Sequence, residues 1–143
     1  MISGLVSAIR GASGAPALPE LGVIRILVVD DDPQARVLIE MALAEARFRP
    51  VLDVAANLRA GLDRIRQDEH DVYLIDQHLP DGTGVDLITE ARTHGAHKPF
   101  ILMTGYGSLA LDEEALDAGA SDYLAKPVNT EQLLSALRSW LHR

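Results

Sequence analysis

Five short apolar runs, each followed by a longer segment with helical spacing, constrain the fold of this chain more than any other feature. A short continuous apolar run is typical of a strand that is buried on both faces, as in a parallel sheet. The predicted strands are 23–29, 51–55, 71–76, 99–104 and 122–125. Because strand and helix alternate, the sequence predicts an α/β fold with a doubly wound, five-stranded parallel sheet and helices on both faces.

Local signals mark where three of the predicted helices begin. Asp32 is placed to cap a helix that Pro33 begins. Asn57 and Asn129 are placed to cap the second helix and the last one. In the first helix, the apolar spacing predicts one side formed by Leu38, Met41, Ala42 and Glu45, with Ile39 and Leu43 beside it.

Composition excludes several classes of function. The 143 residues suit one domain. With 13 Lys and Arg against 21 Asp and Glu, the net charge of -8 argues against a nucleic-acid partner, whose phosphates must be neutralised. The absence of cysteine excludes a disulfide scaffold, a thiolate zinc site and a cysteine nucleophile. The histidines lack metal-ligand spacing and are expected mostly at the surface.

Residues 1–22 differ in composition from the rest of the chain and are predicted to be a flexible N-terminal tail or linker. The stretch 11–19 is small, rich in Gly and Pro and uncharged, as linkers are. The folded domain is predicted to span 23–143. A short docking helix is the alternative for the tail, because four apolar residues follow the spacing of one helix stripe. They are Ile2, Leu5, Val6 and Ile9.

The N-terminal segment also bears on location. The uncharged stretch from Met1 to Ile9 ends at Arg10, well short of the roughly 20 residues that a membrane-spanning helix needs. It lacks the basic start and the longer apolar block of a secretory signal. We therefore expect a cytoplasmic protein with no membrane partner.

Polar side chains follow the carboxyl ends of four predicted strands. Asp30 and Asp31 follow the first strand, Asp76 ends the third, Thr104 ends the fourth, and the fifth runs into Lys126. In an open parallel sheet, ligands bind outside these ends where the strand order reverses, which in the flavodoxin-like order 2-1-3-4-5 lies between strands one and three. Three carboxylates there would repel one another unless a cation lay among them, and oxygen ligands favour Mg²⁺, with Mn²⁺ as the alternative.

Taken singly, each of these residues has an ordinary structural explanation, since an Asp at a strand end is usually a turn or cap residue. Together, they place a carboxylate beside a metal, with a hydroxyl and an ammonium group opposite. This arrangement suits transfer of a phosphoryl group onto Asp76, with the metal and Lys126 neutralising the phosphoryl oxygens.

Four runs of the sequence closely resemble the receiver domain of two-component response regulators. They are Ile26–Pro33, Leu74–Gly84, Leu102–Gly105 and Asp122–Pro127. Each run alone is moderately specific, whereas all four in this order are highly specific. The resemblance covers about residues 24–142 and includes every signature element of the family.

The resemblance implies roles for the acidic residues and their neighbours. Asp76 would be the phosphoacceptor. Asp30, Asp31 and Asp76 would hold the metal together with the backbone carbonyl of His78. His78 and Tyr106 lie at positions that influence, in this family, how fast the acyl phosphate hydrolyses, and their bulk is expected to lengthen its life.

The resemblance also implies roles around the phosphoryl group. Thr104 would hydrogen-bond to it, Lys126 would pair with it, and Gly105 would leave it approachable. Thr104 and Tyr123 would form a switch in which Tyr123 turns inward when Thr104 moves toward the phosphoryl group. The alternative for Tyr123 is a half-buried aromatic with its hydroxyl in water. The peptide between Lys126 and Pro127 is expected to be cis.

By this resemblance, the protein accepts a phosphoryl group from a phosphohistidine of a sensor histidine kinase or a histidine phosphotransfer protein. It would not be an enzyme beyond Mg²⁺-dependent self-phosphorylation and autodephosphorylation. It would signal to an unknown downstream protein target through altered protein–protein contacts. We expect a monomer or a phosphorylation-dependent dimer.

Three interpretations of the chain stay open. Because no effector signature follows the last helix, we expect a stand-alone receiver. The first alternative is a receiver fragment of a larger hybrid kinase or effector, with 1–22 as the end of a linker. The remote alternative is an aspartyl-nucleophile phosphatase of the haloacid dehalogenase type. That family has a second Asp two residues after the nucleophile, where this chain has His78.

Overall fold

A computed structural model describes residues 22–105 and 109–141 and centres on a five-stranded parallel sheet. The strands of the sheet are β1 (Val23–Val29), β2 (Arg49–Ala55), β3 (Val72–Asp76), β6 (Phe100–Thr104) and β7 (Asp122–Ala125). Two further strands, β4 (His78–Leu79) and β5 (Gly82–Thr83), form a small antiparallel hairpin. The order β2-β1-β3-β6-β7 confirms the predicted order 2-1-3-4-5, because β6 and β7 are the fourth and fifth strands of the sheet.

Helices follow the sheet strands as predicted. They are α1 (Pro33–Leu43), α2 (Leu58–Arg66), α3 (Gly84–Thr93), α4 (Leu109–Ala118) and α5 (Thr130–Leu141). All three predicted caps are confirmed, since Asp32, Asn57 and Asn129 each accept a hydrogen bond from a backbone N–H in the first turn, at 3.0, 2.8 and 3.0 Å. Each cap satisfies a donor that a helix N-terminus would otherwise leave unpaired.

The sheet is covered on both faces, and the alternation of side chains along β1 explains how. Ile24, Ile26 and Val28 pack with α1 and α5 on one face. Leu27 and Val29 point to the opposite face and pack with α2, α3 and α4. Because both faces are buried, the central strands are mostly apolar and stand out in the sequence as apolar runs, with the exposed Arg25 as the exception in β1.

The prediction of which residues of α1 lie together on one side of the helix is wrong in part. The buried residues of this helix are Ala35, Ile39, Ala42 and Leu43. Leu38 and Met41, which the spacing placed along one side with Ala42, are 38% and 61% exposed. Apolar residues occur on two flanks of α1, so spacing alone does not select the flank that meets the sheet.

Of the four histidines that the structure describes, His78, His94 and His97 are exposed, as expected, whereas His70 is only 2% exposed. Its Nε2 lies 2.8 Å from Oδ2 of Asp53, and Arg64 lies 3.1 Å from the same oxygen. Asp53 is on β2 and Arg64 is on α2. The Asp53–Arg64–His70 cluster therefore joins an edge strand to a helix. No local spacing in the sequence predicts this cluster.

Some predictions concern residues outside the described part of the chain. The tail or docking helix within residues 1–21 and the flanking residue Tyr106 are among them. Among the helices that are described, none is both long enough and apolar enough to span a membrane.

Candidate functional site

Three carboxylates meet at the carboxyl edge of the sheet. Val29 of β1 pairs with Ile75 of β3, so the residues that follow them, Asp30 and Asp76, lie side by side. One carboxylate oxygen from each of Asp30, Asp31 and Asp76 lies within 4.8 Å of the others. Asp30 and Asp76 are buried, whereas Asp31 is exposed. The strand register thus brings together the acidic residues that the sequence predicted.

Lys126, which directly follows the edge strand β7, also belongs to this cluster. Its Nζ lies 3.0 Å from Oδ2 of Asp30 and 3.4 Å from Oδ1 of Asp76. The backbone N–H of Lys126 donates to the carbonyl of Thr104 at 2.9 Å, which keeps the chain beyond β7 beside the end of β6. The peptide between Lys126 and Pro127 is cis, as predicted.

The electrostatics of the cluster follow from burial and crowding of like charges. Burial and the charge of Asp30 raise the pKa of Asp76, although Lys126 and a hydrogen bond from the backbone N–H of His78 oppose this shift. Burial alone would lower the pKa of Lys126, but the hydrogen bond to Asp30 and the charges of Asp30 and Asp76 raise it above its usual value. A cationic ammonium group therefore faces a pair of acids that repel each other.

The residues after Asp76 form the β4–β5 hairpin, which sequence reasoning did not predict. The backbone N–H of His78 in β4 donates to the Asp76 carboxylate. Gly84 closes the loop so tightly that a Cβ there would lie 2.7 Å from the Asp76 carbonyl oxygen. Two-residue strands have no period to detect, although Asp81 and Gly82 are typical turn residues.

The supporting role of Gln77 is a second feature that the sequence did not indicate. Its side chain is buried beside Asp76, and its Oε1 accepts a hydrogen bond from the N–H of Val85 at 3.1 Å. Its backbone N–H donates to the carbonyl of Met103 at 2.8 Å, and its own carbonyl accepts from Gly84 at 3.0 Å. Gln77 therefore fastens the start of α3 to the end of β3.

The remaining predicted residues lie around this edge of the sheet. Thr104 is buried at the end of β6, and Gly105 is exposed with open space where a Cβ would stand. Tyr123 in β7 is partly buried and packs against the α2–α3–α4 side of the core. Burial, and secondarily the charge of Asp112, raises the pKa of its hydroxyl. Tyr123 is thus half-buried, and its role in a switch with Thr104 stays a prediction.

The donor set at the edge fits a hard divalent cation. Three carboxylate groups converge, and burial of two of them leaves their repulsion poorly screened by water. Carboxylate and carbonyl oxygens are the ligands that Mg²⁺ and Mn²⁺ prefer. Asp30, Asp31, Asp76 and the backbone carbonyl of His78 are the groups that would hold the ion.

Comparison with known families agrees with this geometry. The family model described as "Response regulator receiver domain" matches residues 26–138. The chain belongs to the response regulator receiver domain family. It is therefore a receiver domain of two-component signalling, with the flavodoxin-like fold that its sheet order shows.

Curated relatives extend beyond the region that they share with this chain. The response regulator protein PilR of Pseudomonas aeruginosa is 36% identical over 109 residues, which are 76% of this chain and 24% of PilR. The two-component response regulator PhoP of the same species is 34% identical over 120 residues, which are 84% of this chain and 52% of PhoP. The chain thus spans a quarter to a half of the length of these relatives.

Solved structures show the same fold. A CheY-like receiver domain protein from Methanospirillum hungatei is 32% identical, with a TM-score of 0.75, and the match covers 84% of this chain and 94% of that one. The chemotaxis protein CheY4 of Vibrio cholerae is 27% identical, with a TM-score of 0.73, over 82% of this chain and 98% of that one. Both neighbours are matched along nearly their whole length.

Proposed function

We propose that this receiver accepts a phosphoryl group on Asp76 from a phosphohistidine of a sensor histidine kinase or a histidine phosphotransfer protein. A carboxylate oxygen of Asp76 attacks phosphorus while the bond from phosphorus to the imidazole nitrogen breaks. The imidazole leaves with that electron pair and becomes neutral histidine after proton exchange. The product is an acyl phosphate on Asp76.

The observation that carries this proposal is the position of Lys126. Its ammonium group lies within 3.4 Å of Asp76 and within 3.0 Å of Asp30, although the three residues come from the ends of three different strands. A fixed cation beside the attacking carboxylate is suited to neutralising phosphoryl oxygens. A structural ion pair would need only one of the two acids.

The other residues of the edge have distinct roles in the proposal. Asp30 and Asp31, with Asp76 and the His78 carbonyl, would hold Mg²⁺, which when bound supplies charge neutralisation at the phosphoryl group. The hydroxyl of Thr104 donates a hydrogen bond to a phosphoryl oxygen. Among the residues that the structure describes, no atom lies within 4 Å of the place where a Cβ of Gly105 would stand, and the phosphoryl donor would approach on that side.

Signalling in this proposal passes through protein–protein contact. When Thr104 moves toward the phosphoryl group, space opens on the sheet and Tyr123 turns inward. A bound group needs to favour the inward arrangement by only a few kcal/mol to invert a minor population. The result is a changed surface around α4 and β7 for a downstream protein, or for a second copy of this chain in a phosphorylation-dependent dimer.

The test is incubation with acetyl phosphate and Mg²⁺, followed by intact-mass measurement. Wild type is expected to gain the mass of one phosphoryl group, and Asp76→Asn is expected to gain none. Asp32→Asn is the matched control, because Asp32 is a neighbouring acid that caps α1 and an Asn there keeps the cap. Equal labelling of Asp76→Asn and wild type would overturn the assignment.

A further inference from the structure

The turn of the β4–β5 hairpin carries a carboxylate that is bound to a distant helix. Oδ1 of Asp81 accepts a hydrogen bond from the N–H of Leu58 at 2.7 Å, and Oδ2 accepts one from the N–H of Arg59 at 3.1 Å. These are the first two residues of α2, and they lie more than twenty positions earlier in the chain. One exposed side chain thus connects the hairpin to α2.

The start of α2 already has a cap of its own. Asn57 accepts a hydrogen bond from the N–H of Ala60 at 2.8 Å. Asp81 therefore pairs the donors of the first two helical residues, and Asn57 pairs the donor of the third. Because ordinary capping needs only the residue that precedes the helix, the contact from Asp81 is additional.

Packing holds the hairpin in the same place. A Cβ on Gly82, the residue after Asp81, would lie 2.8 Å from Cδ1 of Leu58, so the turn touches the first side chain of α2. The hydrogen bond from Leu58 is the main cause of a lowered pKa at Asp81; desolvation opposes it, and the hydrogen bond from Arg59 lowers the pKa further. Asp81 is thus anionic at neutral pH, and the negative charge faces the positive end of the α2 dipole.

The other end of the hairpin is attached to the phosphorylation site. The N–H of His78 donates to the Asp76 carboxylate, and Gly84 donates to the carbonyl of Gln77 at 3.0 Å. The hairpin is therefore held at its base by the end of β3 and at its tip by α2. Between these two attachments lies the His78 peptide, whose carbonyl is one of the proposed metal ligands.

We infer that Asp81 is a positioning residue, whose carboxylate anchors the hairpin tip on α2 and thereby orients the His78 peptide at Asp76. The consequence for metal binding rests on the proposed function, whereas the consequence for the His78 amide does not. The inference couples α2 to the phosphorylation site through a single side chain. A chain without this anchor would keep the fold and lose order at the hairpin.

The structure offers a matched pair of variants for the test. Asp81→Ala removes both the extra cap of α2 and the anchor of the hairpin, whereas Asn57→Ala removes a cap of the same helix and leaves the hairpin untouched. If Asp81 were only a helix cap, the two variants would behave alike. Asp81→Asn keeps a side-chain oxygen acceptor and is expected to be intermediate.

The first measurement is amide hydrogen exchange at His78, followed by NMR without metal or phosphoryl donor. We expect exchange about tenfold faster in Asp81→Ala than in wild type, and no change in Asn57→Ala after correction for global stability. Unchanged exchange in Asp81→Ala, or equal acceleration in Asn57→Ala, would overturn the inference. If Asp81→Ala fails to fold, Asp81→Asn against Asn57→Ala decides in the same way.

The second measurement is Mg²⁺ binding by calorimetry. Loss of a group that orients a metal ligand typically weakens affinity about tenfold, and we expect that loss in Asp81→Ala but not in Asn57→Ala. Equal Mg²⁺ affinity in Asp81→Ala and wild type would overturn the effect on the metal. If wild type itself binds no Mg²⁺, the proposed metal site fails, while the exchange at His78 still decides whether Asp81 anchors the hairpin.

Discussion

The carboxyl group of Asp76 is buried beside Asp30, so its negative charge is unfavourable in the folded protein. Its pKa lies above the ordinary value, despite the ammonium group of Lys126 nearby. Because the folded pKa is the higher one, ionisation of Asp76 destabilises the protein progressively as the pH rises from the unfolded value of about 3.9 through the folded value. The residue that the proposed reaction needs is therefore one that the fold would be more stable without.

We predict that Asp76→Asn stabilises the protein at pH 7 in the absence of divalent cations. The substitution removes the repulsion with Asp30 and keeps an oxygen that can accept from Lys126. The expected gain is about 1 kcal/mol, or a rise in Tm of about 4 °C for a domain of this size. Thermal unfolding measures it, with Asp32→Asn as the neutral control. A lower Tm in Asp76→Asn would show that pairing with Lys126 outweighs the repulsion.

A second residue-scale prediction concerns pH and Asp53. The hydrogen bond with His70, and after it the charge of Arg64, lowers the pKa of Asp53. A lowered pKa contributes stability above the unfolded value of about 3.9, and this contribution disappears as the pH falls through the folded value. Asp53→Asn is therefore expected to cost about 1 kcal/mol at pH 7 and progressively less as the pH falls below about 3.9.

Urea unfolding of both proteins across this pH range measures the difference. Asp63→Asn is the control, because Asp63 pairs with the exposed Arg66 at 3.7 Å. Exposed pairs of this kind contribute about 0 to 1 kcal/mol. A difference between wild type and Asp53→Asn that stays constant from pH 7 to pH 3 would contradict the assignment to the Asp53 charge.

A third prediction concerns the lifetime of the acyl phosphate. His78 is exposed two residues after Asp76, where we expect its bulk to hinder the water that attacks the acyl phosphate. We expect His78→Ala to lose the phosphoryl group about threefold faster, a change of about 0.6 kcal/mol in the barrier, and the double variant with Tyr106→Ala to lose it faster still. Decay of intact-mass signal after removal of the donor gives the rates. Rates equal to wild type in both variants would refute the hindrance.

At the scale of elements, strands were predicted more closely than helix faces, for a physical reason. β1 and β7 begin and end at the predicted residues, and the continuous buried part of β1, from Ile26 to Val29, is apolar because its side chains pack on both faces of the sheet. The exposed flank of α1 and the β4–β5 hairpin were not predicted. Their positions depend on contacts across the fold, such as Asp81 with Leu58, that no local spacing encodes.

The candidate site was predictable because parallel strands bring their carboxyl ends to one edge. Asp30, Asp31 and Asp76 meet there as expected, and Lys126 reaches them. The hydrogen bond that the Gln77 side chain accepts from the N–H of Val85 was not predictable, because nothing in the local sequence indicates which donor a Gln after a strand will meet. Chain order thus indicates which strand ends meet, whereas the supporting hydrogen bonds require the structure.

The corrected face of α1 yields a prediction at the same scale. Ile39 is buried and packs against the sheet, whereas Met41 is 61% exposed. Ile39→Ala is expected to cost about 2 to 5 kcal/mol, because it leaves a cavity in the core. Met41→Ala is expected to stay within about 0.5 kcal/mol of wild type. Urea unfolding of both variants checks this, and a larger loss in Met41→Ala would restore the face that the spacing first indicated.

At the scale of the whole molecule, the net charge of -8 belongs to residues 23–143, because Arg10 and Glu20 cancel in the first 22 residues. The sheet also begins at this boundary. The N–H of Arg49 donates to the carbonyl of Gly22 at 2.9 Å, and β1 starts at Val23. The family model matches from residue 26. The buried core described on both faces of the sheet lies within residues 24–137.

We therefore predict that a chain lacking residues 1–21 keeps the stability and the phosphorylation of the full chain. Its free energy of unfolding in urea is expected to lie within about 0.5 kcal/mol of the full-length value. Its rate of labelling by acetyl phosphate should be unchanged, because the acidic cluster and Lys126 lie within the retained part. A loss above about 1 kcal/mol would favour the docking-helix alternative for the tail. Leu5→Ser in the full chain then provides the check, since a docked stripe would make that single substitution reproduce most of the loss.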